Sequence, residues 1–210
     1  MVLVSPRFFP HEEATARASG AEDVLAAARV VDTLDEALAD CHFVAGASAR
    51  SRAIEWQTMA PRECAAALVS KRAAGKVAVV MGPEKSGLSN EHLDRCQVLL
   101  RIPTDPDFSS LNIAMAVQVI CYELRLAMLE ADEPTEPEIP PATIEEMEYF
   151  YRHLEAVLTD SGFLDPENPR TLMRRLRRLF IKADPDQNEV NILRGILTAF
   201  ERSLERGSAK

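Results

Sequence analysis

The chain has 210 residues, 47% of them hydrophobic and 27% charged, with a formal charge of −9; this is the balance of an ordinary globular protein, long enough for one large domain or a medium one with an appendage. No apolar run approaches the roughly 20 residues that cross a bilayer, and the start, MVLVSP, lacks the basic region and apolar core of a secretory leader, so a cytoplasmic protein without membrane contact is expected. The acidic total argues against a uniformly phosphate-binding surface, though an acidic sum can hide a basic face.

Val2–Val4 is a short apolar run stopped by Ser5-Pro6, read as a buried strand. Pro10 to Arg17 reads as a helix closed by Gly20, Val24 to Ala28 as a helical turn, and Arg29 to Val31 as a strand. Thr33-Leu34-Asp35-Glu36 fits a capping box for a helix to Asp40. Phe43 to Ala45 is the next strand, Pro61 to Gly75 bounds a helix, and Val77 to Met81 and Val98 to Ile102 are strands separated by a short helix capped by Ser89. Ser110 is expected to open a helix to Glu130, with Ile113, Val117, Ile120, Leu124 and Met128 on its inner face. Strands alternating with helices predict an α/β domain on a mostly parallel sheet.

Residues 131–141, ADEPTEPEIPP, have the composition of a linker. Beyond it, Thr143 to Ser161, a segment from the Asn168-Pro169 start to Lys182, and Asp186 to Arg206 read as helices with no strand between them. The expected organisation is an α/β domain over 1–130, a linker over 131–141, and a small all-α extension over 142–210.

Chemistry is expected where strands end. Gly82 to Ser89 (GPEKSGLS) nearly matches the phosphate-binding pattern G-x-x-x-x-G-K-[ST], but Leu88 stands where the lysine that holds the phosphates belongs, so a triphosphate is excluded. Gly82 and Gly87 let the main chain approach a flat ring closely, and Ser109, Ser110 and Asn112 offer polar groups at a helix N-terminus. Singly, these are turn glycines and cap residues; together, on adjacent strand ends, they read as a pocket. The widely spaced Cys41, Cys64, Cys96 and Cys121 read as reduced core thiols, with no metal site expected. The four histidines pair with no acid in a recognisable base arrangement.

MGPEKSGLSNE (81–91) resembles the second motif of the SpoU/TrmH-type RNA ribose 2′-O-methyltransferases, FSSLNIAMAV (108–117) their third, and VAGASARSR (44–52) the preceding strand-end loop. Among them the chain is most similar to the bacterial tRNA (cytidine/uridine-2′-O)-methyltransferases of anticodon-loop position 32, which also carry a helical extension. The resemblance implies a deep trefoil knot, a homodimer, and S-adenosylmethionine as cofactor. It assigns cofactor contacts to Ala47, Ser48, Ala49, Gly82, Ile102, Ser109, Ser110 and Leu111, and reaction roles to Glu84, Ser110 and Asn112. The family's first motif, N-x-G-x-x-x-R, whose arginine helps deprotonate the ribose hydroxyl, has no match within Met1–Pro10. The expectation is therefore either a misassigned start or a protein that binds S-adenosylmethionine and RNA without methyl transfer.

For tRNA, the candidates are Arg50, Arg52 and Lys85 near the pocket. The basic helix TLMRRLRRLFIK adds Arg174, Arg175, Arg177 and Arg178 around an apolar stripe of Leu172, Leu176, Leu179 and Phe180. A solvated helix face packed on its neighbours is the plainer reading of that helix.

Overall fold

The computed structural model describes residues 1–49, 56–108, 110–131, 137–167 and 171–208. Strand β1 (Val2–Val4) lies parallel to β2 (Arg29–Val31), with Leu3 opposite Val30. Helices α1 (Glu12–Ala16) and α2 (Glu22–Ala26) connect them. Helix α3 (Leu34–Leu38) starts as its sequence predicts, with the Thr33 hydroxyl accepting from the Glu36 amide at 3.2 Å. The reciprocal half of the box is displaced: the Glu36 carboxylate accepts from Asp32 rather than from Thr33.

The main sheet is four-stranded and parallel, in the order β4 (Thr58–Met59), β6 (Val98–Leu100), β3 (Cys41–Ala47), β5 (Lys76–Val80). β3 is buried almost along its whole length, as a near-continuous apolar strand covered on both faces should be. Phe43 and Ala45 point to one face, where they join Cys64 and Leu68 of α4 (Pro61–Lys71) and Ile120 of α6 (Ile113–Glu130). Val44 points to the other, into a cluster with Ala37 and Leu38 of α3, Cys96, and Ile144 at the start of α7 (Ile144–Asp160). A short α5 (Asn90–Leu93) precedes β6, closed by a reciprocal cap between Ser89 and His92.

The C-terminal unit packs α7, α8 (Leu172–Ala183) and α9 (Gln187–Ser208) around Phe150, Tyr151, Leu154, Val190 and Leu197. Thr143 and Glu146 cap α7 reciprocally, and the Glu145 amide donates to Ala39 O at 3.2 Å, which fixes the helix start against the α/β domain.

Several expectations are corrected. Val2–Val4 is not a buried strand: it pairs with β2 in a separate two-stranded sheet, leaving Val2 and Val4 exposed. The long helix opens at Ile113 with Asn112, not Ser110, as its cap, because the Asn112 side chain accepts from the Ala114 amide at 2.9 Å. Its inner face is narrower than predicted, with Ala116 and Ile120 buried and Val117 and Met128 exposed. Cys121 lies exposed on that helix, whereas Cys41, Cys64 and Cys96 are buried. Leu179 leaves the predicted stripe and is exposed, while Leu176 and Phe180 face the core. The Asn168-Pro169 helix start and residues 132–136 of the acidic linker fall outside the described residues.

Candidate active site

The carboxyl ends of three parallel strands open on one side of the sheet, the position at which open α/β sheets bind ligands. The two loops singled out in the sequence do not follow adjacent strands; β3 lies between β5 and β6 and supplies the third wall. A cavity of about 160 Å³ sits there. Ala47, Ser48 and Ala49 reach it from β3, Gly82, Glu84, Lys85 and Gly87 from the loop after β5, and Ile102 and Thr104 from the chain after β6. Ser110, Leu111, Ile113 and Ala116 close it from the start of α6. The Ser48 amide donates to Leu100 O at 3.1 Å and locks the β3 end to β6.

The glycines have distinct reasons. At Gly82 a β-carbon would lie 2.3 Å from the Gly87 carbonyl carbon and 2.4 Å from the Leu88 nitrogen, so the loop can close on itself only over a residue without a side chain. Gly87 has open space around it but a φ of +63°, the left-handed region that L side chains avoid. Its amide donates to Pro83 O at 2.7 Å and completes the turn. Leu88, the residue that excluded a triphosphate, is buried under Trp56, Leu93 and Leu99.

Glu84 has a role that sequence reading missed. Its carboxylate accepts from the Ile113 amide at 3.3 Å, tying the glycine loop to the N-terminus of α6, where a negative charge is favoured. Asn112 is likewise engaged as the cap of that helix. Ser110 lines the cavity and is exposed. Met81 and Ile113, which belong to the two quoted motifs but were not named as site residues, also line it, as does Thr104, which no local pattern marks. Ser109, Arg50 and Arg52 lie outside the described residues.

The basic helix is not a free cationic face. Arg174 makes a two-oxygen contact with Asp94 at 3.0 and 2.9 Å. Arg177 grips Glu148 with both terminal nitrogens, one of them at 2.8 Å, and lies over the Tyr151 ring. Arg178 is buried, donates to Gln97 O at 3.4 Å and lies over the Trp56 ring. These three side chains dock α8 onto the α/β domain: their donors face acids, a carbonyl and rings inside the molecule, as in a helix packed on its neighbours. Arg175 is the member of the predicted set that is exposed. Beside them Arg95 bridges Asp35, at 2.8 and 3.0 Å, to Glu148 at 3.8 Å. The hydrogen-bonded Arg95 guanidinium holds the Asp35 carboxyl below its ordinary value. At Asp94 burial wins over Arg174 and the carboxyl is pushed up.

Comparison with known proteins meets this geometry. The model of the "SpoU rRNA Methylase family" matches residues 1–122, and that of the "tRNA methyltransferase TrmJ, C-terminal domain" matches residues 145–209. A Pseudomonas aeruginosa protein described as tRNA (cytidine/uridine/adenosine-2′-O-)-methyltransferase TrmJ is 52% identical, over 96% of this chain and 83% of its own length. A Cronobacter sakazakii tRNA (cytidine/uridine-2′-O-)-methyltransferase TrmJ is 47% identical over 96% and 84%. Among solved structures, TrmJ from Z. mobilis ZM4 superposes with a TM-score of 0.83 at 35% identity, covering 95% of this chain and 86% of that one.

Proposed function

The chain belongs to the SpoU rRNA methylase family, and on that premise we propose that it transfers a methyl group from S-adenosylmethionine to a ribose 2′-hydroxyl of tRNA, at cytidine or uridine 32 of the anticodon loop. The observation that carries the reading is the cavity at the carboxyl ends of β3, β5 and β6, walled by a glycine loop that tolerates no side chain at Gly82.

The donor set fits a flat, partly zwitterionic ligand. Met81, Ile102, Leu111 and Ala116 offer apolar surface to a purine ring, main-chain groups of Ala47 to Ala49 and Gly82 offer its hydrogen bonds, and Glu84 and Lys85 put opposite charges on one wall. Bound there, S-adenosylmethionine supplies an electrophilic methyl for in-line attack by the ribose oxygen. The chain's own part is placement: the glycine loop and the α6 N-terminus hold the donor between them, joined by the Glu84 to Ile113 hydrogen bond. Ser110 has its hydroxyl at the cavity wall for the acceptor, whereas Glu84 and Asn112 act on the loop and helix that shape the site.

Among the described residues, exposed Lys85 and Arg175 are the tRNA-facing candidates that the fold leaves outward. The homodimer that this family implies has a suitable face on α6. Met115, Tyr122 and Leu129 recur every seven residues along it and are 61, 56 and 64% exposed, an apolar row on the helix that also closes the cavity. No helix among the described residues is long and apolar enough to cross a membrane, and the proposed setting is the cytoplasm, where tRNA is modified.

The test is tritiated-methyl transfer to unmodified tRNA by the purified chain, alongside calorimetry with S-adenosylmethionine. Binding heat with label at nucleotide 32 is the expected outcome. Binding without transfer would make the chain a cofactor- and RNA-binding protein, and absence of binding heat would overturn the assignment of the cavity.

A further inference from the structure

The single tryptophan of the chain lies between the helical unit and the cavity. Trp56 is 6% exposed, just ahead of β4, and two guanidiniums of α8 lie over its ring, Arg174 at 5.8 Å and Arg178 at 5.0 Å from the centroid. The two arginines are four residues apart, so one helical turn presents both to the same ring. A planar guanidinium stacked on an indole away from water is held harder than one on the surface. Each is fixed from a second direction, Arg174 by Asp94 and Arg178 by the Gln97 carbonyl. Gln97 in turn pairs with both the amide and the carbonyl of Val44 in β3, at 2.7 and 2.9 Å.

From Trp56 the packing leads to the cavity wall. Its indole N–H donates to Cys96 O at 3.2 Å, and its ring is buried with Leu88, Leu93 and Leu99. Leu88 ends the glycine loop. Its side chain would meet a β-carbon at Gly46 at 3.2 Å, and its nitrogen would meet one at Gly82 at 2.4 Å. It is therefore wedged between the indole, the end of β3 and the residue that opens the loop, in a place where nothing can shift without moving the wall.

We infer that Trp56, held by Arg174 and Arg178, is a positioning residue for the donor loop: the docking of α8 on the indole fixes Leu88, and through Leu88 the Gly82–Gly87 turn that walls the cavity. The inference rests on the reading of that cavity as the S-adenosylmethionine site. It gives the arginines of α8 a part in methyl transfer without a contact to RNA.

The test uses the full chain and the variants Arg178→Gln, Arg178→Lys and Trp56→Phe, with Leu197→Ala as a control that weakens the helical core away from the indole. Hydrogen exchange of the Gly87 amide without ligand, S-adenosylmethionine affinity, and kcat and KM for tRNA are measured. Arg178→Gln and Trp56→Phe are expected to speed exchange at Gly87 and weaken cofactor binding by about fivefold or more, with KM for tRNA within about twofold of wild type. Arg178→Lys, which keeps the charge but loses the planar stack, should fall between. Leu197→Ala should lower Tm and leave Gly87 exchange and cofactor affinity as they were. A raised KM for tRNA with unchanged Gly87 exchange would overturn the inference in favour of an RNA contact, and equal effects from Leu197→Ala would reduce it to general destabilisation. If the wild type binds no S-adenosylmethionine yet Gly87 exchange still responds to Arg178→Gln, the coupling stands and the cofactor assignment falls. Should Arg178→Gln fail to fold, Trp56→Phe carries the same comparison.

Discussion

Gly82 and Gly87 are the same residue type in one turn, yet the structure asks different things of them. Gly82→Ala puts a methyl 2.3 Å from main chain that cannot move aside cheaply, so it should destabilise by about 1–3 kcal/mol and weaken S-adenosylmethionine binding by more than tenfold. Gly87→Ala meets no atom but inherits the left-handed φ; it should destabilise by about 1–2 kcal/mol with a much smaller effect on affinity. Calorimetry and urea denaturation on the pair separate the two, and equal affinity losses would sink the distinction. The pattern G-x-x-x-x-G was legible in the sequence, and so was the exclusion of phosphate by Leu88. What lay beyond reach was why each glycine is there, because the Gly82 restriction comes from the Gly87–Leu88 peptide folding back over it. Glu84 was visible only as a motif acid; its partner, the Ile113 amide, is 29 residues away and becomes a partner only once the loop and α6 meet.

Among the elements, α8 shows most plainly how much of a helix's surroundings stays hidden when it is read alone. Five cations in one short helix signal a surface for phosphates, and composition cannot reveal that the docking partners Asp94, Gln97 and Trp56 stand some 80 to 120 positions earlier in the chain. The parallel sheet, the Pro61, Thr33, Ser89 and Thr143 helix starts and the helical unit were readable because each has a local cause, a cap, a fixed φ or an apolar period. Strand order was not, since β3 separates β5 from β6 through contacts that leave no mark in sequence spacing. The helix itself supplies a comparison. Arg177→Ala leaves Glu148, which is 15% exposed, with Arg95 at 3.8 Å as its remaining cation among the described residues; breaking this largely buried pair should cost about 2 kcal/mol, less than a fully isolated charge because Arg95 remains. Arg175→Ala, on the exposed side, should change stability by no more than about 0.5 kcal/mol while weakening tRNA binding with a reduced salt slope. A stable Arg177→Ala chain that binds tRNA poorly would return α8 to the role first read from its composition.

At the scale of the whole molecule, the question is what joins the two units and what would join two copies in the proposed dimer. Helix α6 is apolar on more faces than its own chain covers; on the proposal that this face joins two copies, Tyr122→Asp on its exposed row should shift sedimentation from dimer to monomer without unfolding the α/β domain, and a monomeric wild type would overturn that proposal. Within one chain the junction includes His42, buried at the start of β3, with Nε2 3.0 Å from Lys71 O. A cleft here is lined by His42, Ile181, Asp184 and Pro185, and Lys71 reaches Asp184 at 2.7 Å. Burial, and then the Lys71 charge, hold the His42 pKa below its ordinary 6.5, with Asp184 opposing weakly. The unfolded chain therefore takes up a proton at His42 at a higher pH than the folded one does. The stability His42 confers is complete above about pH 6.5, the unfolded value, and is lost as pH falls through the folded pKa. Asp35, held low by Arg95, adds its own loss only further into acid. Urea midpoints should accordingly decline between pH 7.5 and 5 in the wild type, and His42→Gln, whose amide can still donate to Lys71 O, should flatten that decline while leaving the steeper acid limb in place. An unchanged decline in His42→Gln would move the acid sensitivity elsewhere in the molecule. A flattened one would place it where β3, the end of α4 and the helical unit meet, far from the cavity yet on the strand that forms its central wall.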